Sequence, residues 1–314
     1  MEEFGRSTNA VMRGEVEPGP TMGSSGWDLP SRAIQAVSPI PSTERIYRHR
    51  LPVRISHWLN VPFLIILIMS GLQIFNAHPA LYWGDQSDRD RALLSIRPMQ
   101  AEGGDVIGVT TILGHQFETT GVLGYSNGSG RAFPAWATIP RAKWLAMGRQ
   151  WHLFFAWLFV INGLIFTAYA LASRHVTHDL VPSRNDCRSF GKSLRAHLFL
   201  KQSGSWHAKG YNVLQKITYT TILLIVAPLI VLTGLAMSPT IDTAVPWLLT
   251  VLGGRQAART IHFITCFAFV GFILIHVIQV IATGFINNIC SMVTGWFTVK
   301  HVKCTSCSVE RHGK

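Results

Sequence analysis

Hydrophobic and polar positions along the chain alternate on the scale of whole membrane thicknesses rather than of helix or strand faces. Four segments, Ile55–Phe75, Trp151–Leu171, Ile217–Met237 and Ile261–Ala282, are nearly unbroken apolar runs. About 20 such residues in a helix cross a hydrocarbon core roughly 30 Å thick, so each run predicts a transmembrane helix. Their interiors hold few or no charged residues, a purity that a buried soluble helix would rarely need. Pro228 and Gly234 in the third run fit this reading, because neighbouring helices re-satisfy freed backbone groups. The pattern predicts an all-α integral membrane protein, a four-helix bundle with a long loop between its first two helices.

The polar stretches complete the outline. Residues 1–43 are rich in Gly, Pro and Ser and hold no apolar leader core. They are expected to form a flexible tail, with the first span retained as an anchor. The bundle is expected over residues 44–300, with a second tail over 301–314. About 70 residues separate the first two spans, too many for a plain connection, which predicts a small folded cap. Within it, Asp105–Tyr125 mixes β-branched residues with glycines and predicts a hairpin, and Asn127–Gly130 predicts a turn. Trp83, Trp136, Trp144 and Trp151 flank the spans, where indoles favour the membrane interface. Ile241–Leu252 is short and apolar and is expected to lie along the outer surface. No internal repeat is apparent in the sequence.

Composition supports the membrane reading: 48% of residues are hydrophobic and 14% charged, against about 25% charged in soluble domains. A net charge of +12 would suit a polyanion partner, but its distribution argues for topology instead. Arg45, Arg48, Arg50 and Arg54 precede the first span, Arg174 to Lys209 crowd the second loop, and Lys300, Lys303, Arg311 and Lys314 follow the fourth span. The first loop balances its basic residues with acidic ones. Cytoplasmic loops carry the excess of Lys and Arg, so both termini and the second loop are expected inside, with no nucleic-acid partner. The five cysteines form no disulfide framework. Cys304 and Cys307 make a CxxC followed by Ser308 rather than the His of c-type haem attachment, and read as reduced thiols more readily than as a metal site.

Of 13 histidines, four fall within spans: His57, His152, His262 and His276. His262 and His276 stand 14 residues apart, close to four helical turns. They therefore share one face, at levels roughly 21 Å apart. The first span runs outward, whereas the second and fourth run inward. His152 and His262 consequently fall near the outer side, and His57 and His276 near the inner side. A single imidazole in a membrane is accounted for by a hydrogen bond across a helix interface. Four in two depth-matched pairs are better accounted for as axial iron ligands of two haems. Gly71 and Gly163 lie on the ligand faces at the opposite level from their own histidine, where a macrocycle needs room; small-residue packing is the alternative. Phe269 falls between the two levels, as apolar packing. Arg54, Arg149 and Arg259 each stand three residues before a ligand, placed to meet haem propionates or to act as interfacial anchors.

Five segments carry a resemblance: His49–Asn60, Gly148–His152, Tyr211–Tyr219, Leu232–Pro239 and Gly253–His262. Over roughly residues 45–300 the chain resembles the di-haem cytochrome b subunits of bacterial Ni–Fe hydrogenases, formate dehydrogenases and thiosulfate reductases, the last type most of all. The resemblance implies two b-type haems, with one ligand on the first helix, one on the second and two on the fourth. It also implies electron transfer between a quinone (menaquinone or ubiquinone) and a molybdopterin or iron–sulfur catalytic subunit, in a bacterial cytoplasmic membrane. Quinone-site candidates are His49, Asn212, Gln215, Lys216 and Tyr219; Asn212 and Gln215 share a helix face, and related formate-dehydrogenase subunits use an Asn and a Gln in this region. Polar capping of a helix at the interface is their alternative. Two other function classes stay open: a stand-alone membrane oxidoreductase, such as a superoxide oxidase or ferric reductase, and a transporter. The transporter would normally show carboxylates within its spans, and none are present.

Overall fold

Each of the four apolar runs is a long helix. The computed structural model describes residues 41–173 and 213–302, with side chains over 43–173 and 217–299. Helix α1 spans Leu51–Phe75 and has Pro52 in its first turn, where a missing N–H costs nothing. Helix α2 spans Leu145–Ala172. The third span is divided into α3 (Val213–Thr221), one wide π-helical turn over Ile222–Val226, and α4 (Ala227–Ala236). Pro228 lies just beyond that turn; proline donates no hydrogen bond and crowds the preceding turn, and the wider winding relieves both effects. Short helices α5 (Pro239–Ala244) and α6 (Trp247–Leu252) lead into α7 (Arg255–Ala282), and α8 (Phe285–Thr294) follows it. Four helices, Leu51–Phe75, Leu145–Ala172, Ile217–Ala236 and Arg255–Ala282, are long and apolar enough to cross a membrane.

The all-α expectation needs correction, because both ends of the bundle carry strands. Between α1 and α2, four strands form an antiparallel sheet in the order β2 (Ala80–Leu81), β3 (Leu94–Gln100), β4 (Val106–Ile112), β5 (His115–Glu118). The expected hairpin is β4–β5. It turns on Leu113 and Gly114, both at positive φ (48° and 85°), as a two-residue turn matching strand twist requires. Strands β6 (Tyr125–Ser126) and β7 (Ser129–Gly130) form a second hairpin, closed by Asn127 and Gly128 at φ 50° and 71°. At the opposite end of the bundle, β1 (Pro41–Tyr47) pairs with β8 (Trp296–Val302). The sheet end is the cap side of the bundle, and the β1–β8 end is its clasp side.

The cap is built onto the helix ends. Its core packs Leu81, Ile96, Ala132 and Phe133 on Phe75 of α1, and Phe263 of α7 adds to the cluster. Asn76 holds the Phe133 backbone in both directions, and Asp85 accepts the Arg255 N–H at 3.0 Å, covering the start of α7. Arg131 is only 6% exposed and donates to Gln73 Oε1, Thr138 Oγ1 and the Arg141 carbonyl. Burial lowers its pKa from the ordinary arginine value. Replacing Arg131 with leucine is expected to cost about 3 kcal/mol, because three acceptors lose a charged donor inside the cap. The measurement is thermal unfolding in detergent, together with faster proteolysis between α1 and α2.

The clasp is polar inside and apolar outside. Asn287 of α8 exchanges two hydrogen bonds with Thr298, and Asn288 donates to Val280 O and Thr283 Oγ1 at the end of α7. Phe285, Ile286 and Val293 face outward from the same helix. Arg54 and Trp58 of α1 donate to the Val293 and Met292 carbonyls, which satisfies the end of α8.

Candidate functional site

Two histidine pairs face each other across the bundle, one at each end. The His152 and His262 rings have centroids 6.2 Å apart and planes at 65°. The His57 and His276 rings are also 6.2 Å apart, at 57°. An imidazole nitrogen binds a first-row metal such as zinc at about 2.0–2.1 Å; adding the distance from that nitrogen to its ring centre puts two imidazoles on opposite sides of one ion roughly 6.3 Å apart. Both pairs have that separation. Among the described residues no three His, Cys, Asp or Glu side chains converge, so each site offers two nitrogen donors and no protein group for the remaining positions.

The cap-side pair is oriented by a motif that occurs twice. His152 Nδ1 lies 3.1 Å from both the Leu67 carbonyl and Ser70 Oγ. His262 Nδ1 lies 3.1 Å from both the Ile230 carbonyl and Thr233 Oγ1. The hydroxyl protons are already committed, Ser70 to Ile66 O at 2.6 Å and Thr233 to Leu229 O at 2.7 Å. Each hydroxyl can then only accept from the ring, and a carbonyl can do nothing else. Nδ1 therefore carries the proton on both histidines, and Nε2 keeps the lone pair that binds a metal. A glycine follows each hydroxyl. A methyl built on Gly71 would sit 3.3 Å from His152 Cε1, and one on Gly234 would sit 3.4 Å from His262 Cε1. Ser70-Gly71-Leu72 and Thr233-Gly234-Leu235 thus present the same hydroxyl–glycine pair to the two imidazoles.

The clasp-side pair sits in different surroundings. His57 Nδ1 is buried and has no hydrogen-bond partner among the described residues. His276 is stacked on Phe272 at 5.7 Å, with the Tyr219 ring 6.4 Å away. Asn162 of α2 donates to the Ser56 carbonyl and to Asn60 Oδ1, tying α1 to α2 beside His57. Between the levels, Phe269 is buried at 4% exposure and meets Phe159 edge-on at 6.4 Å.

The other expected residues scatter. Gly71 reaches the cap-side level, where its neighbour is the imidazole itself. Gly163 has open space, with nothing within 4 Å of an added methyl. Arg54 bonds the Val293 carbonyl and keeps a buried Nε without a partner among the described residues. Arg259 donates to the His78 carbonyl and lies over the Phe75 ring at 5.8 Å. Arg149 is exposed. Asn212 lies outside the described residues, and Gln215 and Lys216 are described by backbone alone within α3. Cys266 and Cys290 are free thiols; Cys187, Cys304 and Cys307 lie outside the described residues. Ser70, Thr233, Gly234, Asn60 and Asn162 escaped the sequence reading. For Ser70, Thr233 and Gly234 the signal was the recurring hydroxyl-Gly-Leu triplet; Asn60 and Asn162 carried none.

Residues 48–295, which hold both pairs and the repeated motif, match the family described as prokaryotic cytochrome b561. The chain belongs to this family. It is a membrane-bound b-type cytochrome, an electron-transfer protein that binds haem b. The cytochrome is also 28% identical over 245 residues to an Azospira oryzae protein named as a protein-methionine-sulfoxide reductase subunit, YedZ1, covering 76% of this chain and 92% of that one. No solved structure matches it. The donor set suits haem: two imidazoles facing one another at each level, on apolar helices.

Proposed function

We propose that this cytochrome holds two b-type haems, one between His152 and His262 and one between His57 and His276, and passes electrons between membrane quinone and a separate reductase subunit. The observation that carries this reading is the pair of 6.2 Å imidazole separations, both completed by the single helix α7. A haem so held supplies a reversible one-electron carrier. The protein's part is to aim four nitrogens, exclude water and fix the two levels. Arg54, with its buried unpaired Nε, is the arginine best suited to an anionic haem substituent at the clasp level.

The excess of basic residues on the clasp side supports a cytoplasmic clasp and an external cap. A partner subunit is supported by the relative's name and by the cap's exposed apolar residues Leu113, Phe117 and Val122, which lie outside the spans. That partner is a molybdenum or iron–sulfur subunit, whether of the sulfoxide-reductase or the thiosulfate-reductase type. We assign the quinone, menaquinone or ubiquinone, to the clasp side near His49 and Tyr219.

The test is a pyridine haemochrome assay on the purified protein, with a reduced-minus-oxidised spectrum after addition of a quinol. Two protohaems per chain, both reduced by quinol, are expected. One haem per chain would remove one of the two pairs, and no protohaem would overturn the reading.

A further inference from the structure

Resting on the two-haem reading, the histidine surroundings carry a further consequence. We propose that Ser70 and Thr233, with the Leu67 and Ile230 carbonyls, are positioning residues that hold the cap-side haem at a lower reduction potential than the clasp-side haem. Each cap-side imidazole has two acceptors 3.1 Å from Nδ1, both turned towards its single proton. Drawing on that proton makes the ring a stronger electron donor to iron, which favours the oxidised ion. Both axial ligands at the cap level are treated this way.

Among the described residues the clasp-side pair shows no such pair of acceptors. His57 Nδ1 has no acceptor among the described residues, and His276 is flanked by the rings of Phe272 and Tyr219. Local charge does not offset the difference. One helical turn before a histidine stand Arg54 at the clasp and both Arg149 and Arg259 at the cap; Arg149 is exposed, where water and salt screen its charge, which leaves one half-buried arginine at each level. An electron shared between the sites therefore rests on the clasp side. The step from clasp to cap, the one a quinol-fed reductase on the cap would use, is then uphill.

The experiment is a redox titration of the haem absorbance in the purified full-length protein, in the wild type, Ser70→Ala, Thr233→Val, Ser70→Thr and His276→Ala. The wild type is expected to titrate in two steps. Ser70→Ala and Thr233→Val should each raise the lower midpoint by about tenfold in the equilibrium constant, which is about 59 mV for one electron, and leave the upper midpoint in place. Ser70→Thr keeps the hydroxyl and should keep the wild-type value. In His276→Ala, which lacks a clasp-side ligand, the surviving step should be the lower one. Two haems with the lower midpoint unmoved by either truncation, or survival of the upper step in His276→Ala, overturns the proposal while leaving the two-haem reading intact. Fewer than two haems in the wild type overturns both.

Discussion

Replacing His276 with alanine is expected to leave the purified protein with one haem per chain instead of two. The substitution removes one of the two imidazoles that face each other at the clasp level. It also leaves His57 alone, with an Nδ1 that no described residue fixes, so little would keep that ring aimed at an iron. Changes to groups that merely orient a ligand weaken metal binding about 10–100-fold, and loss of the ligand itself should exceed that. The cap-side pair should be spared. It lies roughly 21 Å away along α7 and is held by its own four hydrogen-bond contacts. His262→Ala should give the reverse result, losing the cap-side haem and keeping the clasp-side one. Haem stoichiometry together with the amplitude of the reduced-minus-oxidised band reads both. Two haems retained in His276→Ala would show that the clasp-level ligands are wrongly paired.

Those four histidines were legible in the sequence because their pairing depends on quantities a sequence carries. Span length, span direction and a 14-residue separation fix the depth of each ring, and no packing detail is needed. The structure then brings together the two pairs that depth alone had matched. The hairpin turning at Leu113–Gly114 was legible for a similar reason, since β-branched residues flank a glycine where a tight turn needs positive φ. Ser70 and Thr233 were not legible, because a hydroxyl before a glycine in a membrane helix reads as small-residue packing. Their meaning lies in a histidine 82 residues away in one case and 29 in the other. For Arg54 and Arg259 the spacing from a ligand gave the level, while the carbonyl groups of α8 and of the cap that they bond came only from the structure. A sequence gives an arginine's height along a helix but not which of several acceptors at that height it meets.

The repeated glycines allow a size series that separates a ligand seat from ordinary helix packing. A methyl at Gly71 would stand 3.3 Å from His152 Cε1 and 3.6 Å from Nδ1, so Gly71→Ala asks the ring to move by a few tenths of an ångström. The cost should be about 1 kcal/mol, and both haems should be retained. Gly71→Leu places three further carbons where the imidazole lies. Relief requires the ring to turn, which breaks the contacts of Nδ1 with Leu67 O and Ser70 Oγ and swings Nε2 away from His262. Overpacking of that kind costs about 1–3 kcal/mol, and each lost hydrogen bond about 1 kcal/mol more. Gly71→Leu is therefore expected to lose the cap-side haem and keep the clasp-side one, measured as one haem per chain titrating at the higher potential. Gly234→Leu should do the same through His262, where the corresponding methyl lies at 3.4 Å. If Gly71 only eased the packing of α1 on α2, leucine there would loosen the helix pair along its length, and His57 on the same helix would lose its haem as readily as His152.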